Sequence, residues 1–460
     1  MKETVIVEKE KRTPVRFDCD VLVGGGGTSG VVAALAAARN GAETILIERY
    51  GFLGGTMING ATVLHSFFNL YKAFPGVEKK QLVKGISQEI VDRMIEAGGC
   101  PGHLEQLIGY NYDSFATCFD HEIFKHVIFI MLEEAGVKIL LHSLIVDAIV
   151  VENKVRGVII ENKSGREAVT AKVTVDTTGD GDIAFNAGVN CKNMHPDKHG
   201  VSLTFGMANI ELKKAVKFLD ENNMLSQIVY GNKGSTVDNI IRVGFNLNKI
   251  ESFARFMAKE GMWGPLTASL NENDLTYINC TLVGPVDALD AVEMTRAEIS
   301  LRKQVTAMVE FLKKNIPGFE AGYLSWTSVQ AGVRRTRVVD CEHDITLQEI
   351  ENAVRFSDEI AIYGFHDCAP KYTVKNGDAF GIPYRALLPK GIENLLVAGR
   401  MITSDWAAHM STRNTVSCMA QGQAAGTAAA LSGKLGIMPR NLDTGILKEA
   451  LRKDGVCFDG

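Results

Sequence analysis

Gly25, Gly27 and Gly30, with Thr28 and Ser29 between the last two, stand directly after the apolar run Val21-Leu22-Val23. Glu48 follows at close to the ~20-residue spacing of an acid that meets a ribose hydroxyl. Each residue type has a mechanical reason to be there. Gly25 permits a tight turn, Gly27 lets backbone approach a pyrophosphate, and Gly30 lets a helix pack closely on the strand before it. The first N–H groups of that helix have no partner within it and lie at the positive end of its dipole, so they attract an anion. Together these residues make a dinucleotide site, and the carboxylate of Glu48 favours an unphosphorylated ribose.

Such a site needs a strand, a helix and a second strand to hold it. Residues 21–23 read as a parallel strand buried on both faces. Residues 30–40 read as a helix that is apolar nearly all round and therefore covered on both flanks. Asn40-Gly41 stops it, and residues 43–47 form the second strand. Further along, Asp120 caps a helix that ends at Gly136, and strands follow over residues 137–141, 145–151 and 155–161. Residues 173–182 run from a strand into the turn Thr177-Thr178-Gly179-Asp180-Gly181-Asp182. Residues 394–400 again run from a strand into Gly399-Arg400, ahead of a small-residue helix over 415–431. Gly422 and Gly426 inside that helix each cost roughly 1 kcal/mol against alanine, so something must press closely against it.

The stretches between hold most of the aromatics and are mixed in pattern, with loops near 261–265 and 271–274 and a long amphipathic helix over 285–312. The expected fold class is α/β: a Rossmann-like nucleotide-binding domain built from three separated segments, 1–69, 119–189 and 377–460. An inserted α+β domain, 70–118 and 190–376, caps it and takes the substrate.

Composition excludes several alternatives. The 460 residues, 46% hydrophobic, can bury a large core. A net charge of −5 without a dominant basic run gives no footprint for nucleic acid or an anionic membrane. No apolar run is long enough to span a bilayer and residues 1–16 lack the apolar core of a secretory signal, so the expected compartment is the cytoplasm. Nine cysteines without a C-x-x-C pair argue against a disulfide framework, a cysteine-ligated cluster and a redox dithiol, and leave redox chemistry to a cofactor. No metal site is expected either: His195 and His199 are four apart, but Pro196 and Gly200 prevent a helical ligand pair.

Taken in order, the segments resemble the FAD-dependent oxidoreductases with the glutathione-reductase type of FAD domain, and among them a bacterial family marked by a Gly-Gly-Thr segment after the second strand. The carriers are residues 23–30, Glu48-Arg49-Tyr50-Gly51-Phe52-Leu53-Gly54-Gly55-Thr56, residues 175–182, 381–389, 396–400 and 422–426, nearly the whole chain. The resemblance implies that Gly25, Gly27, Thr28, Ser29 and Gly30 hold the FAD pyrophosphate, and that Glu48 and Arg49 meet the adenosine ribose. It implies that Gly54, Gly55 and Thr56 pass under the ribityl chain, that Val146 offers backbone to the adenine, and that Thr178, Gly179 and Asp180 lie near the adenosine half. Gly399, Arg400, Arg413, Gln421, Gly422 and Ala424 would face pyrophosphate or flavin from the far side. The FAD would be non-covalent, because residues 50–57 contain no histidine or cysteine.

Departures from the family pattern concern the substrate. The family's Arg-Glu-Ser/Thr-Arg segment is Arg334-Arg335-Thr336-Arg337 here, with the charge inverted at Arg335. A Glu-Ala-Leu-Gly run before the last helix is replaced by residues 405–413, and the cluster cysteines of electron-bifurcating relatives are missing. Flavin exchanges a hydride at one ring position, so the protein need only bind a substrate beside it and manage a proton. His409 and Arg413, four residues apart, are candidates for proton relay and anion clamp. Arg337, with Arg334, could meet a substrate carboxylate bidentately, and His65 follows the Gly-Gly-Thr segment closely enough to approach the ring. The expected function is hydride transfer between FAD and a small organic substrate, with an electron donor or acceptor that the residues do not identify. The alternatives are an enzyme using FAD without net oxidation and a flavin-binding electron carrier or sensor.

Overall fold

The computed structural model of the protein describes residues 6, 8, 10–60, 63–193, 200–233 and 239–459; His195 and His199 lie outside the described residues. In chain order the larger sheet and the helices beside it begin with strand β1 (Val15–Gly24), helix α1 (Thr28–Arg39), β2 (Thr44–Ile47), α2 (His121–Glu134), β3 (Lys138–Leu140), β4 (Leu144–Val151), β5 (Lys154–Asn162) and β6 (Gly165–Asp176), with a three-stranded sheet and the helix Ile86–Glu96 between β2 and α2. There follow β7 (Phe205–Ala208), β8 (Leu225–Gly231), β9 (Asn239–Phe245), β10 (Leu266–Ala268), β11 (Asp274–Asn279), α3 (Ala291–Asn315) and β12 (Tyr323–Thr327). Near the end come β13 (Leu395–Val397) and α4 (Thr415–Leu435).

A seven-stranded sheet has the order β3-β2-β1-β6-β5-β4, with β13 also pairing β6. The pairs β1/β2, β1/β6, β2/β3 and β13/β6 are parallel, whereas β4, β5 and β6 form an antiparallel meander. Thus the α/β, Rossmann-like class holds. Its core strands carry the apolar runs of the sequence, with Val21, Leu22 and Val23 fully buried. β1 is longer than the apolar run because Val15 to Asp18, mostly solvent-facing, continues the ladder against β6 ahead of buried Cys19.

The register decides where the chemistry goes. β6 pairs with β5 through Gly165 to Thr170, then exchanges that neighbour for β13 over Thr174 to Asp176. Gly24, Asp176 and Val397 therefore end side by side, since Gly24 is opposite Asp176 and Asp176 is opposite Val397. The turns that begin at Gly25, Thr177 and Ala398 all leave the same edge, at the carboxyl ends of parallel strands, where open α/β sheets bind ligands.

Helix α1 is buried from Thr28 to Ala37. Its apolar cover is α4, and the interior glycines explain the closeness: a Cβ on Gly422 would collide with the backbone of Ser29, and one on Gly426 with that of Ala33. The core of this sheet also takes in Ile86, Ile90, Val91 and Met94 from the helix Ile86–Glu96. Asp120 caps α2 by accepting from the N–H groups of Glu122 (3.0 Å) and Ile123 (3.3 Å).

A second, six-stranded antiparallel sheet has the order β8-β9-β10-β11-β7-β12. Buried Leu301, Val305, Met308 and Leu312 of α3 belong to the same apolar cluster as Phe205, Val243 and Ile278 of this sheet. α3 starts at Ala291 and not at Pro285 because Asp290 caps it, accepting from Val292 N (2.8 Å) and Glu293 N (2.9 Å). Among the described residues, no helix is long and apolar enough to cross a membrane.

Candidate active site

One cavity of about 830 Å³ runs from the glycine turn of β1 to the six-stranded sheet. That volume lies in the upper part of the range, ~300–1,000 Å³, in which pockets enclose an organic ligand. Gly25, Gly27, Thr28, Ser29, Glu48, Arg49, Gly55, Thr56, Thr178, Gly179, Asp180, Gly399 and Arg400 line one end.

The glycine turn is fixed from behind. Gly25 has φ +101° and would drive a Cβ to 2.6 Å from the Thr177 carbonyl oxygen. Gly25 N donates to Ile47 O (2.8 Å), and Thr177 Oγ1 donates to Gly25 O (2.7 Å). Gly27 precedes α1 in extended geometry and supplies no side-chain cap. A Cβ there would meet no protein atom within 4 Å, because the space beside it is the cavity itself. Ser29 Oγ is buried on the cavity wall with no hydrogen-bond partner. An open backbone cradle, uncapped helix N–H groups and an orphaned hydroxyl suit a pyrophosphate, so the residues at this end fit the dinucleotide expected of them.

Glu48 has a structural task that its spacing did not reveal. Its carboxylate accepts from Gly26 N (2.7 Å) and Tyr50 N (3.0 Å), tying the glycine turn to the end of β2 while still lining the cavity. Gly54 N donates to Gly26 O (2.8 Å), and its own carbonyl accepts from Thr28 Oγ1 (3.2 Å), which docks the Gly-Gly-Thr segment onto the same turn. Asp180 accepts from Arg400 (2.6 Å) and Thr336 (2.5 Å). Burial alone would raise its carboxyl; Arg400 and the hydroxyl of Thr336 outweigh burial and hold it below the ordinary carboxylate range.

Several residues expected at the cofactor stand behind the wall. Gly30 is wedged against Gly25, whose carbonyl oxygen any Cβ would strike. Gln421 Oε1 accepts from Gly399 N (2.9 Å), while its amide donates to Thr412 O (2.8 Å) and Ser417 Oγ (3.1 Å). Gly422 faces Ser29 across the helix pair, and Ala424 is buried in the same core. Val146 does not line the cavity; its carbonyl accepts from Asn186 Nδ2 (3.4 Å).

The three catalytic candidates separate. Arg413 lines the cavity and pairs with Asp367. His409 does not line it: it is 0% exposed, and its Nε2 donates to the Arg400 carbonyl (2.9 Å). Four-residue spacing brings side chains together only along a continuing helix. Here the helix is only His409–Thr412, with Arg413 as its C-cap. Arg337 is also outside the cavity, where it pairs with Asp182 (2.9 Å), donates to the Asp180 carbonyl (3.3 Å) and lies over Phe185. Its neighbour Arg334 does reach the cavity.

The other end of the cavity contains residues that sequence spacing could not assemble. His65 Nδ1 is 2.9 Å from Asp113 Oδ2, and the ring stacks on Phe365 with Tyr112 at its edge. Asp113, 1% exposed, also accepts from the N–H groups of Ser66 (3.1 Å) and Phe115 (3.3 Å). A carboxylate on Nδ1 fixes that N–H and leaves Nε2 as the basic nitrogen. Tyr112, Arg242, Tyr277, Asn279, Asp367 and Arg413 complete the wall. Arg242 carried only a weak signal, an arginine within the apolar run Ile240-Ile241-Arg242-Val243, since a strand can equally turn such a residue to solvent.

A model of the family described as FAD dependent oxidoreductase matches residues 20–451. The thiamine thiazole synthase of Methanococcus maripaludis (strain C7) is 28% identical over 172 residues, 35% of this chain and 56% of that protein. The dihydrolipoyl dehydrogenase of Trypanosoma brucei brucei is 36% identical over 77 residues, 16% of each chain. The chain thus spans little more than half the length of the synthase it matches. Among solved structures, a geranylgeranyl bacteriochlorophyll reductase-like protein from Thermoplasma acidophilum has a TM-score of 0.47 at 14% identity, covering 95% of this chain and 82% of that one.

Proposed function

The chain belongs to the FAD-dependent oxidoreductase family, and from that premise we propose that it moves a hydride between non-covalently bound FAD and a small organic substrate held at the far end of the cavity. The observation that carries this reading is the continuity of the cavity, which joins the open cradle at Gly27 to the wall containing His65, Arg334 and Arg413. Gly27, Thr28 and Ser29 would hold the pyrophosphate, Glu48 and Arg49 the adenosine ribose, and Thr178, Gly179 and Asp180 the adjoining part of the nucleotide. Gly55, Thr56, Gly399 and Arg400 would flank the remainder, with Gln421 and His409 setting the backbone of Gly399 and Arg400 from behind. FAD supplies two-electron redox chemistry at one ring position.

The protein's own part is to position the substrate and manage its proton. His65 is the group for the proton: Asp113 holds Nδ1–H, so Nε2 can take a proton from an alcohol, amine or activated carbon, or return one in the reverse direction. Arg413, steadied by Asp367, would orient a polar group of the substrate. Trp263, Leu266 and Tyr277 supply apolar surface beside it. The seven-stranded sheet carries the cofactor in this assignment, and the six-stranded sheet carries the substrate.

The test is a spectrum and mass of the bound group, followed by anaerobic bleaching with a panel of organic acids, amines and alcohols. Yellow protein releasing FAD on denaturation, with bleaching by one class of compound, is the expected result. His65→Gln should keep the FAD and slow bleaching by roughly 10²–10⁴-fold. Protein that cannot be reconstituted with FAD, or a His65→Gln variant that bleaches normally, would overturn the assignment.

A further inference from the structure

We propose that the substrate is an organic acid whose carboxylate is held between Arg242 and Arg334. The inference rests on assigning the far end of the cavity to the substrate, and it comes from the charges gathered on that wall, with Arg242 buried and Arg334 half-buried. Arg242, 1% exposed on β9, donates from Nε to Gln227 Oε1 (2.9 Å). Arg334 donates to the Gly200 carbonyl (2.8 Å) and to Ser202 Oγ (2.8 Å). All of these acceptors are neutral. Among the described residues, no ion pair joins either arginine to a carboxylate, whereas Arg413 in the same wall has Asp367.

These groups form one electrostatic cluster. Tyr277 feels both Arg242 and Arg334, Tyr112 feels both Arg242 and Arg413, and Arg334 is pushed down to about 10 by burial first and by Arg413 second. At that value it is still charged at neutral pH. Arginine does not discharge under such conditions, and a guanidinium in a cavity wall without a carboxylate partner is disfavoured, so an anion from outside is favoured.

Counting charge sets the ligand's own. Arg242, Arg334 and Arg413 contribute three positive charges, against one negative charge on Asp367 and one on Asp113. Glu298, also on the wall, is paired with Arg302 (3.4 Å). In the state in which His65 Nε2 can take the substrate's proton, a single positive charge is left. One carboxylate balances it, and the planar fork of a guanidinium matches a carboxylate bidentately. A phosphate monoester, at about −1.5 to −2, would overcompensate it.

The experiment uses the full chain loaded with FAD. Acetate, propanoate, butyrate, hexanoate and benzoate are titrated beside their amides and inorganic phosphate, and binding is followed by flavin absorption and by thermal shift. One carboxylate should bind at least tenfold more tightly than its amide and more tightly than phosphate. Arg242→Gln should weaken that carboxylate roughly 10- to 100-fold and erase the preference over the amide, with FAD content unchanged. Arg242→Lys should recover part of the affinity, since lysine restores charge without the fork. Arg334→Gln should repeat the loss, and it stands as the test if Arg242→Gln does not fold.

Amides or phosphate binding as well as carboxylates, or an unchanged preference in both glutamine variants, would overturn the proposal. Its failure is separable from that of the hydride-transfer assignment. Neutral compounds that bleach the flavin regardless of Arg242 refute the clamp alone. Arg242-dependent carboxylate binding in protein whose flavin no compound bleaches refutes hydride transfer alone.

Discussion

Replacing Gly27 with valine should separate flavin binding from folding. Gly27 sits at φ −70° and ψ −173°, extended geometry that valine adopts without strain. Its Cβ would meet no protein atom within 4 Å. The substitution should therefore leave the unloaded protein within about 0.5 kcal/mol of wild type, as at an unencumbered surface position. The new methyl groups would fill the space beside the first N–H groups of α1. Losing two charge-assisted hydrogen bonds to a phosphate, at about 1.5–3 kcal/mol each, weakens FAD binding by roughly two to four orders of magnitude. Gly426→Val is the matched control. Its Cβ runs into the Ala33 backbone, which cannot yield cheaply, so overpacking should cost about 1–3 kcal/mol with or without flavin. Flavin content after gel filtration and denaturant unfolding of the apo forms read the two quantities independently. Stoichiometric FAD on Gly27→Val would show that the cradle lies elsewhere, and an apo protein as destabilised as Gly426→Val would show that the glycine serves packing.

Other outcomes follow from His103, His409 and Arg413. Burial pushes His103 down to about 4, with Gln88 and Thr117 on its two ring nitrogens. The folded state refuses a proton that the unfolded chain accepts below pH 6.5, so this stabilisation is complete above 6.5 and is lost as pH falls toward 4. The stability difference between wild type and His103→Gln, from urea unfolding at successive pH values, should shrink across that window by an amount on the order of 3 kcal/mol; a constant difference would refute it. Arg413→Ala should keep FAD and slow substrate-dependent bleaching on the order of a hundredfold. His409→Ala should lower stability by about 1–3 kcal/mol and loosen FAD through the freed Arg400 carbonyl, with the pH profile of bleaching unchanged. A shifted profile would return His409 to proton transfer.

The nucleotide half of the fold was legible because its signals are local. The turn at Gly25, the helix behind it and the strand ending at Ile47 lie within one short stretch, and periodicity and glycine placement define each. The small-residue helix was legible as closely packed, but not what packed on it: Gly422 and Gly426 answer to Ser29 and Ala33, far away in the chain. For the same reason Gln421, Gly422 and Ala424 stand behind the cavity wall. The six-stranded sheet was illegible, since its short strands alternate weakly and pair across long loops. His65 meets Asp113 at the edge of a small sheet that pairs Val63–Leu64 with Phe115–Cys118, and Arg242 and Arg334 come to one cavity wall from segments about ninety residues apart. His409 and Arg413 looked like neighbours on a helix that in fact ends after one turn.

The packing of α1 under α4 also orders events during synthesis. Helix α1 is apolar nearly all round, yet its cover lies about 390 residues downstream, and β13, the strand that completes the ligand edge, is almost as distant. At ~5–20 residues per second the ribosome needs roughly 20–80 s to deliver that cover. Through this interval the nascent chain displays a finished glycine turn above an uncovered apolar helix. The carboxyl edge of the larger sheet, where the turns at Gly25, Thr177 and Ala398 leave it, is complete only when the last strand and helix have emerged.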